Sequence, residues 1–397
     1  MARILIVVPP LTGHVNPTIA VADSLAAAGH DVAWVGSTSV LRPILPSGAV
    51  VLEAGDGITG DVIADMRRRS TGLRGASALQ FLWEDFLWPL ATAMVPDVDA
   101  AADRFEPDVL LVDQQALAGA IVARRRCIPW ATSATTSAEL VDPLAGLPKV
   151  GKWVSDGLAR LAERHGLGAW DGPDLRFSEH LVLVFSVEEL SGPLAAPPGA
   201  GPVAPVGPSL PAPGSADRRC ADPALPDGWS TGDVPRLLVS LGTVNEGVGG
   251  RFFRVVVEAL EDAEVRALLV APSEVIGPLP EHLVVRAFVP QLSVLAHTDA
   301  VVSHGGQNTV SETLAHGLPM VLAPIRDDQP IIAEQAVRAG VARRVRFGRV
   351  RAPELRQAIG SVLEETHYRD AAQKLQQACS AAGGAAAAAA RLLELAS

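Results

Sequence analysis

Apolar residues in this chain gather into short unbroken runs, each followed by a loop and then by a stretch with helical spacing. Arg3 to Val8 (RILIVV) is the first such run and reads as a parallel strand buried on both faces. A loop from Pro9 to His14 follows, with Asn16 suited to an N-cap and Pro17 to the first helical position. Ile19, Ala22, Leu25 and Ala26 then recur at helical intervals until Gly29 stops the helix. A second strand, Asp31 to Gly36, completes a β-loop-α-β unit. Val109 to Val112 and Leu181 to Phe185 read as later strands of the same parallel sheet.

From Ala195 to Pro235 the chain is dense in Pro and Gly, which favours extended or irregular linker structure. The strand-helix pattern restarts at Arg236 to Leu241 (RLLVSL) and continues through a helix over Arg251 to Leu260. Further strands are expected at Arg266 to Val270, Val284 to Ala287, Ala300 to Ser303 and Met320 to Ala323. The expected organisation is an α/β domain over 1–194, a linker over 195–235, a second α/β domain over 236–378 and a C-terminal helix over 379–397.

Composition narrows the function classes. The 397 residues are 48% hydrophobic, ample for two cores. Asp and Glu number 44 against 33 Lys and Arg, a formal charge of −11, which argues against nucleic acid or anionic membrane as the main partner. The basic runs Arg67–Arg69 and Arg124–Arg126 read as solvated helix faces. Cys127, Cys220 and Cys379 are scattered, with neither a disulfide framework nor metal-ligand spacing, so a reducing cytoplasm is expected. The apolar run near Met1 is cut by Pro9 and Pro10 and reads as a buried strand, not a signal peptide. No stretch reaches the roughly 20 apolar residues that would span a bilayer. Neither strand-opening loop carries G-x-G-x-x-G, and no Walker loop is present.

Two segments carry candidate chemistry. In the second half a buried strand ends at Ser303, His304-Gly305-Gly306 turns the chain, and a helix is expected to begin near Thr309. Glycines there let backbone amides approach a ligand, and the helix N-terminus offers donors and partial positive charge, a site for a phosphate or diphosphate. Thr309-x-x-Glu312 has the spacing of a capping box, while Glu312 could equally accept from a ribose hydroxyl. Asp328-Gln329 sets an acid beside an amide, a pair suited to sugar hydroxyls and also common in surface turns. In the first half His14 follows the first strand and Asp113 ends the strand VLLVD. An imidazole oriented by a carboxylate can remove a hydroxyl proton near neutral pH. The bland alternative is a His that satisfies loop backbone and an Asp that caps the next helix.

The second-half residues resemble the donor-binding signature of nucleotide-sugar-dependent glycosyltransferases that act on natural products, which have the GT-B fold. Phe288-Val289-Pro290-Gln291 is similar to the opening of that signature. His304, Gly306, Asn308 and Thr309 match its phosphate-binding part, Glu312 its ribose-binding Glu, and Asp328-Gln329 its closing pair. Ser240 to Thr243 resembles a strand-end loop that touches the diphosphate. Gly13, His14 and Pro17 match the family's G-H-x-x-P loop, whose His is the catalytic base, and Pro107-Asp108 precedes Asp113 as in the family.

The resemblance implies two facing Rossmann-like α/β domains, a cleft between them and a C-terminal helix from about Tyr368 that returns to the first domain. It implies an inverting, metal-independent transfer from a UDP- or TDP-sugar, a substrate and not a cofactor, to a small apolar acceptor by a monomer or homodimer. Phe288 stands where plant members usually have Trp, and Gln307 where they often have Trp, which leans toward a bacterial enzyme. Phe81, Trp83, Phe86 and Trp88 concentrate aromatics in a chain with only 4% of them, suggesting an acceptor pocket, with core packing as the alternative. Trp153 and Trp170 flank a candidate lid. Two other readings remain open: a non-catalytic nucleotide-sugar-binding auxiliary protein, and a sugar-nucleotide epimerase of the same fold.

Overall fold

The computed structural model describes residues 1–55, 60–70, 72–73, 75–141, 144, 146–211, 225, 229, 232–242, 249–272 and 279–397. The chain divides into two compact units. The first comprises Met1–Val187, Pro193–Ala212 and Ala382–Ser397; the second comprises Glu188–Gly192 and Pro213–Ala381.

The first unit is built on a parallel sheet of order β3-β2-β1-β4-β5-β6-β7. Its strands are β1 (Arg3–Val7), β2 (Asp31–Gly36), β3 (Val50–Glu53), β4 (Val109–Asp113), β5 (Trp130–Ala134), β6 (Leu181–Val184) and β7 (Val203–Pro205). Its helices are α1 (Thr12–Ala27), α2 (Thr38–Leu41), α3 (Gly60–Ser70), α4 (Ala76–Gln80), α5 (Trp88–Phe105), α6 (Leu117–Arg126) and α7 (Pro148–Arg164). The continuous apolar runs are explained by burial on both faces: Leu5, Val7, Leu110 and Val112 pack with α5 and α6, while Ile4, Ile6, Val109 and Leu111 pack under α1.

The second unit repeats the plan, with a parallel sheet of order β10-β9-β8-β11-β12-β13. Its strands are β8 (Arg236–Ser240), β9 (Arg266–Val270), β10 (Leu283–Arg286), β11 (Ala300–Ser303), β12 (Met320–Leu322) and β13 (Ala342–Arg344). Its helices are α8 (Glu188–Ser191), α9 (Gly250–Leu260), α10 (Gln291–Leu295), α11 (Gln307–Ala315), α12 (Gln329–Arg338), α13 (Ala352–Glu364) and α14 (Thr366–Ala381). The remaining helix, α15 (Gly384–Leu395), belongs to the first unit and packs against α1.

Each sheet reverses its winding direction once, between β1 and β4 in the first and between β8 and β11 in the second. Open α/β sheets bind ligands beyond the carboxyl ends of strands at such a switch point. The loops that leave β1, β4, β8 and β11 are therefore where function is expected.

Three segments differ from the sequence expectation. The helix after β1 starts at Thr12, with Leu11 as its N-cap, so Asn16 and Pro17 lie inside it. Pro17 lies past the first turn and contributes no backbone N–H to the helical ladder. Within the span read as linker, Val203–Pro205 adds β7 at the sheet edge, where a proline removes no ladder bond from an inner strand. The C-terminal segment is two helices: α14 lies in the second unit, and Gly383 and Gly384, at φ 86° and 56°, turn the chain into α15. A side chain at Gly384 would meet the Pro208 carbonyl oxygen at 2.7 Å.

Candidate active site

In the first unit, the early start of α1 places His14 on the helix's first turn, where its backbone N–H bonds to the Leu11 carbonyl at 2.9 Å. Asp113, the last residue of β4, has a fully buried side chain. The two side chains meet: His14 Nδ1 lies 2.9 Å from both Asp113 Oδ1 and Oδ2. A carboxylate can only accept, so the pair places the proton of neutral imidazole on Nδ1 and the basic lone pair on Nε2. With 17% of its side-chain surface exposed, His14 is held but reachable.

Asp113 also accepts from the Gln115 backbone N–H at 2.8 Å, a local turn contact. It does not cap α6, whose N-cap is Ala116 with no side-chain capping bond. Thr135, just past β5, joins the pair, with Oγ1 at 3.0 Å from His14 Nδ1 and 3.3 Å from Asp113 Oδ2. Sequence reading missed Thr135; a Thr after a buried strand carries no signal of its own.

In the second unit, His304 follows β11 and is buried. Burial pushes its imidazole down to about 4, partly offset by a hydrogen bond to the Ser240 backbone, with the Arg326 cation adding to the lowering. The ring is therefore neutral at physiological pH. Two glycines make room for it: a Cβ at Gly242 would lie 2.7 Å from the imidazole, and one at Gly306 would run into it. Gly305, at φ 84°, lets the turn approach the first turn of α12, where a Cβ would meet the Gln329 carbonyl oxygen at 3.4 Å.

The helix α11 starts at Gln307, with Gly306 as an N-cap in extended conformation. The capping box is thereby excluded: Thr309 lies within the first turn of α11, and Glu312 lies in the helix body. The Glu312 carboxylate instead accepts from Gln291 Nε2 at 2.6 Å, uniting two signature elements 21 residues apart. Gln307 is buried and donates to Ser311 Oγ at 2.9 Å. Asn308 lies on the first turn of α11 with its side chain half-buried.

Phe288 stands on the surface, 47% exposed, as an open stacking platform would, whereas Val289 is buried and offers a ligand only its backbone. Asp328 is the N-cap of α12. Gln329 is buried, and its Oε1 accepts from the backbone N–H groups of Ile325 and Arg326 at 2.9 and 3.1 Å, which leaves only its Nε2 for a ligand. Thr243 lies outside the described residues.

The aromatic cluster is largely core. A single π-helical turn over Phe81–Leu87 carries Trp83 and Phe86 inward, and both are buried. The Trp88 ring lies 5.9 Å from Trp83, tilted, and 5.4 Å from Trp153, edge-on, and a Cβ at Gly157 would collide with it. Ordinary packing thus accounts for Trp83, Phe86 and Trp88, while Phe81 lies under the Arg69 guanidinium at 5.4 Å. Trp153 and Trp170 are likewise packed: Trp153 lies on α7, and Trp170 covers Arg124 at 5.2 Å. The run Arg124–Arg126 is a solvated face only in part: Arg124 lies between Trp130 and Trp170, while exposed Arg125 and half-buried Arg126 pair with Asp99.

Known proteins similar to this chain are glycosyltransferases. Residues 230–379 match the family described as UDP-glucoronosyl and UDP-glucosyl transferase. The chain is 28% identical to the 4'-demethylrebeccamycin synthase of Lentzea aerocolonigenes over 96% of both chains. It is 29% identical to the demethyllactenocin mycarosyltransferase of Streptomyces fradiae, covering 82% of this chain and 71% of that one. Among solved structures, the glycotransferase of kitacinnamycin superposes with a TM-score of 0.76 at 25% identity over 99% of both chains. SnogD of Streptomyces nogalater gives 0.77 at 20% identity over the full length of both. The resemblance to natural-product glycosyltransferases is borne out, and the fold is GT-B. No helix among the described residues is long and apolar enough to cross a membrane.

Proposed function

We propose that this protein transfers a sugar from a UDP- or TDP-sugar to a hydroxyl of a small, largely apolar natural product, with inversion at the anomeric carbon. The observation that carries the reading is the His14–Asp113 pair at 2.9 Å, with Nδ1 committed to the carboxylate. His14 Nε2 takes the proton of the acceptor hydroxyl, and the acceptor oxygen attacks the anomeric carbon. The bond from that carbon to the diphosphate oxygen breaks on the opposite face, and the nucleotide diphosphate leaves with the electron pair. Asp113 holds the ring and balances the charge of the imidazolium that forms.

Donor binding is assigned to Phe288 for the base and to Gln291 with Glu312 for the ribose. The diphosphate goes to His304 and the first turn of α11, and the sugar to Asp328 with Gln329 Nε2. The transfer is proposed to need no metal, because the helix dipole and the backbone N–H groups at the start of α11, with His304 beside them, can take the leaving-group charge. The Asp-x-Asp spacing of Asp97 and Asp99 is committed elsewhere: Asp97 accepts from Gly55 N–H at 2.8 Å, and Asp99 pairs with Arg125 and Arg126.

The test is incubation of the purified protein with UDP- and TDP-sugars, with and without a panel of apolar hydroxylated acceptors and with and without chelator. Acceptor-dependent glycoside of inverted anomeric configuration, insensitive to chelator, is the expected result. Epimerised donor in the absence of acceptor would overturn the reading in favour of an epimerase.

A further inference from the structure

The contact of Thr135 with both members of the His14–Asp113 pair has a specific consequence. Thr135 lies just past β5, which runs parallel to β4 with Ser133 opposite Asp113. Alternation along the strand puts Thr135 on the same face as Ser133 and Asp113. It is buried, and its hydroxyl reaches His14 Nδ1 at 3.0 Å and Asp113 Oδ2 at 3.3 Å. Nδ1 carries one proton, and the charged carboxylate oxygens at 2.9 Å take it in preference to a neutral hydroxyl. The Thr135 O–H is then directed to Asp113 Oδ2. Ser133 is also a buried hydroxyl on that face, yet its Oγ makes no hydrogen bond.

We infer that Thr135 is a positioning residue: its hydroxyl donates to Asp113 Oδ2 and holds the carboxylate in line with His14 Nδ1. The Asp113 carboxylate is thereby fixed from three directions, by α1 through His14, by the following loop through Gln115 N–H and by the end of β5 through Thr135. The inference rests on the reading of His14 as the base.

Removing the donor frees the carboxylate to turn and leaves its charge less compensated, so it holds a protonated His14 more tightly. The acid limb of the activity profile therefore moves to higher pH. The charged groups on the packed elements have places or partners of their own. Arg3 and Asp31 lie at the opposite ends of β1 and β2. Arg391 pairs with Glu394 on α15 at 3.3 Å, and the α6 arginines pair with Glu179, Asp99 and Asp103.

The experiment measures kcat/KM against pH, nucleotide affinity and melting temperature for Thr135→Val, Thr135→Ala, Thr135→Ser, Ser133→Ala and His14→Ala. Thr135→Val and Thr135→Ala should each lose about 10- to 150-fold on the plateau, the worth of one hydrogen bond to a charged group. Their acid limb should move up by about half to one pH unit, and UDP and TDP affinities should stay as in wild type. Thr135→Ser should restore both readouts, and Ser133→Ala should move neither. A loss without displacement of the acid limb, a loss that Ser does not rescue, or the same shift in Ser133→Ala would overturn the inference. If His14→Ala is inactive while both apolar Thr135 variants match wild type, the inference fails and the base assignment stands. If His14→Ala keeps its turnover, both fail together.

Discussion

At the switch point of the first sheet, the strand beside β1 ends in a carboxylate, Asp113, locked to an imidazole that is partly exposed. At the same point of the second sheet, β11 ends in Ser303 and a buried imidazole, His304, which is neutral and flanked by glycines. The topology is shared and the chemistry is not. A charge partner prepares one imidazole to gain a proton, whereas burial prevents the other from doing so. On the proposed assignment the first arrangement serves proton removal, and the second leaves the charge of an incoming anion to the backbone N–H groups of α11 beside a neutral ring. On that assignment one fold supplies two tasks through the surroundings it gives each histidine.

The largest effect that would break this contrast concerns the first unit. His14→Ala is expected to lower turnover by about 10²- to 10⁴-fold while nucleotide affinity, measured by calorimetry, stays near wild type. Next comes acid stability. The unfolded chain protonates His304 near 6.5, while the folded protein resists protonation until about 4, so stability present above 6.5 is shed as pH falls toward 4. The loss should be on the order of 3 kcal/mol, and thermal melts of His304→Gln across that window should show a shallower decline.

Glu312→Ala should then weaken UDP or TDP binding by about 10- to 100-fold, since it removes a buried charged acceptor and orphans Gln291. Unchanged affinity would leave the Gln291–Glu312 contact a purely structural one. The smallest effects separate Asp328 from Gln329. Gln329→Ala should lower the melting temperature by a few degrees, because two backbone donors lose their acceptor. Asp328→Ala should reduce sugar transfer only, with melting temperature and nucleotide affinity intact.

The strands of both sheets were legible because runs such as RILIV and RLLVS are apolar at every position, a pattern that burial on both faces demands. The helix starts were less so. Asn16 and Pro17 carry good N-terminal signals, yet Leu11 caps α1, and Thr309 and Glu312 have capping-box spacing although Gly306 caps α11. In both cases the turn after the strand fixed where the helix could begin. The pairing of His14 with Asp113 was foreseen from residue chemistry at strand ends, and Gln291 was foreseen at the site but not as the partner of Glu312. Thr135 was invisible because nothing in its neighbourhood marks it until β5 is set beside β4. The aromatic segment is ambiguous for the opposite reason: local density of Trp and Phe reads alike for a pocket and a core, and burial assigns Trp83 and Phe86 to the core.

In the proposed mechanism His14 and Asp113 act as one proton-accepting unit, separate from donor binding. A double-mutant cycle in turnover, with nucleotide affinity and melting temperature taken on the same preparations, tests it most directly. Asp113→Asn should fall in the same direction as His14→Ala, and the double variant should be little worse than His14→Ala alone, with all three folded and binding nucleotide as wild type does. Losses that multiply, or a stable His14→Ala protein with near-normal turnover on an acceptor hydroxyl of ordinary acidity, would contradict it.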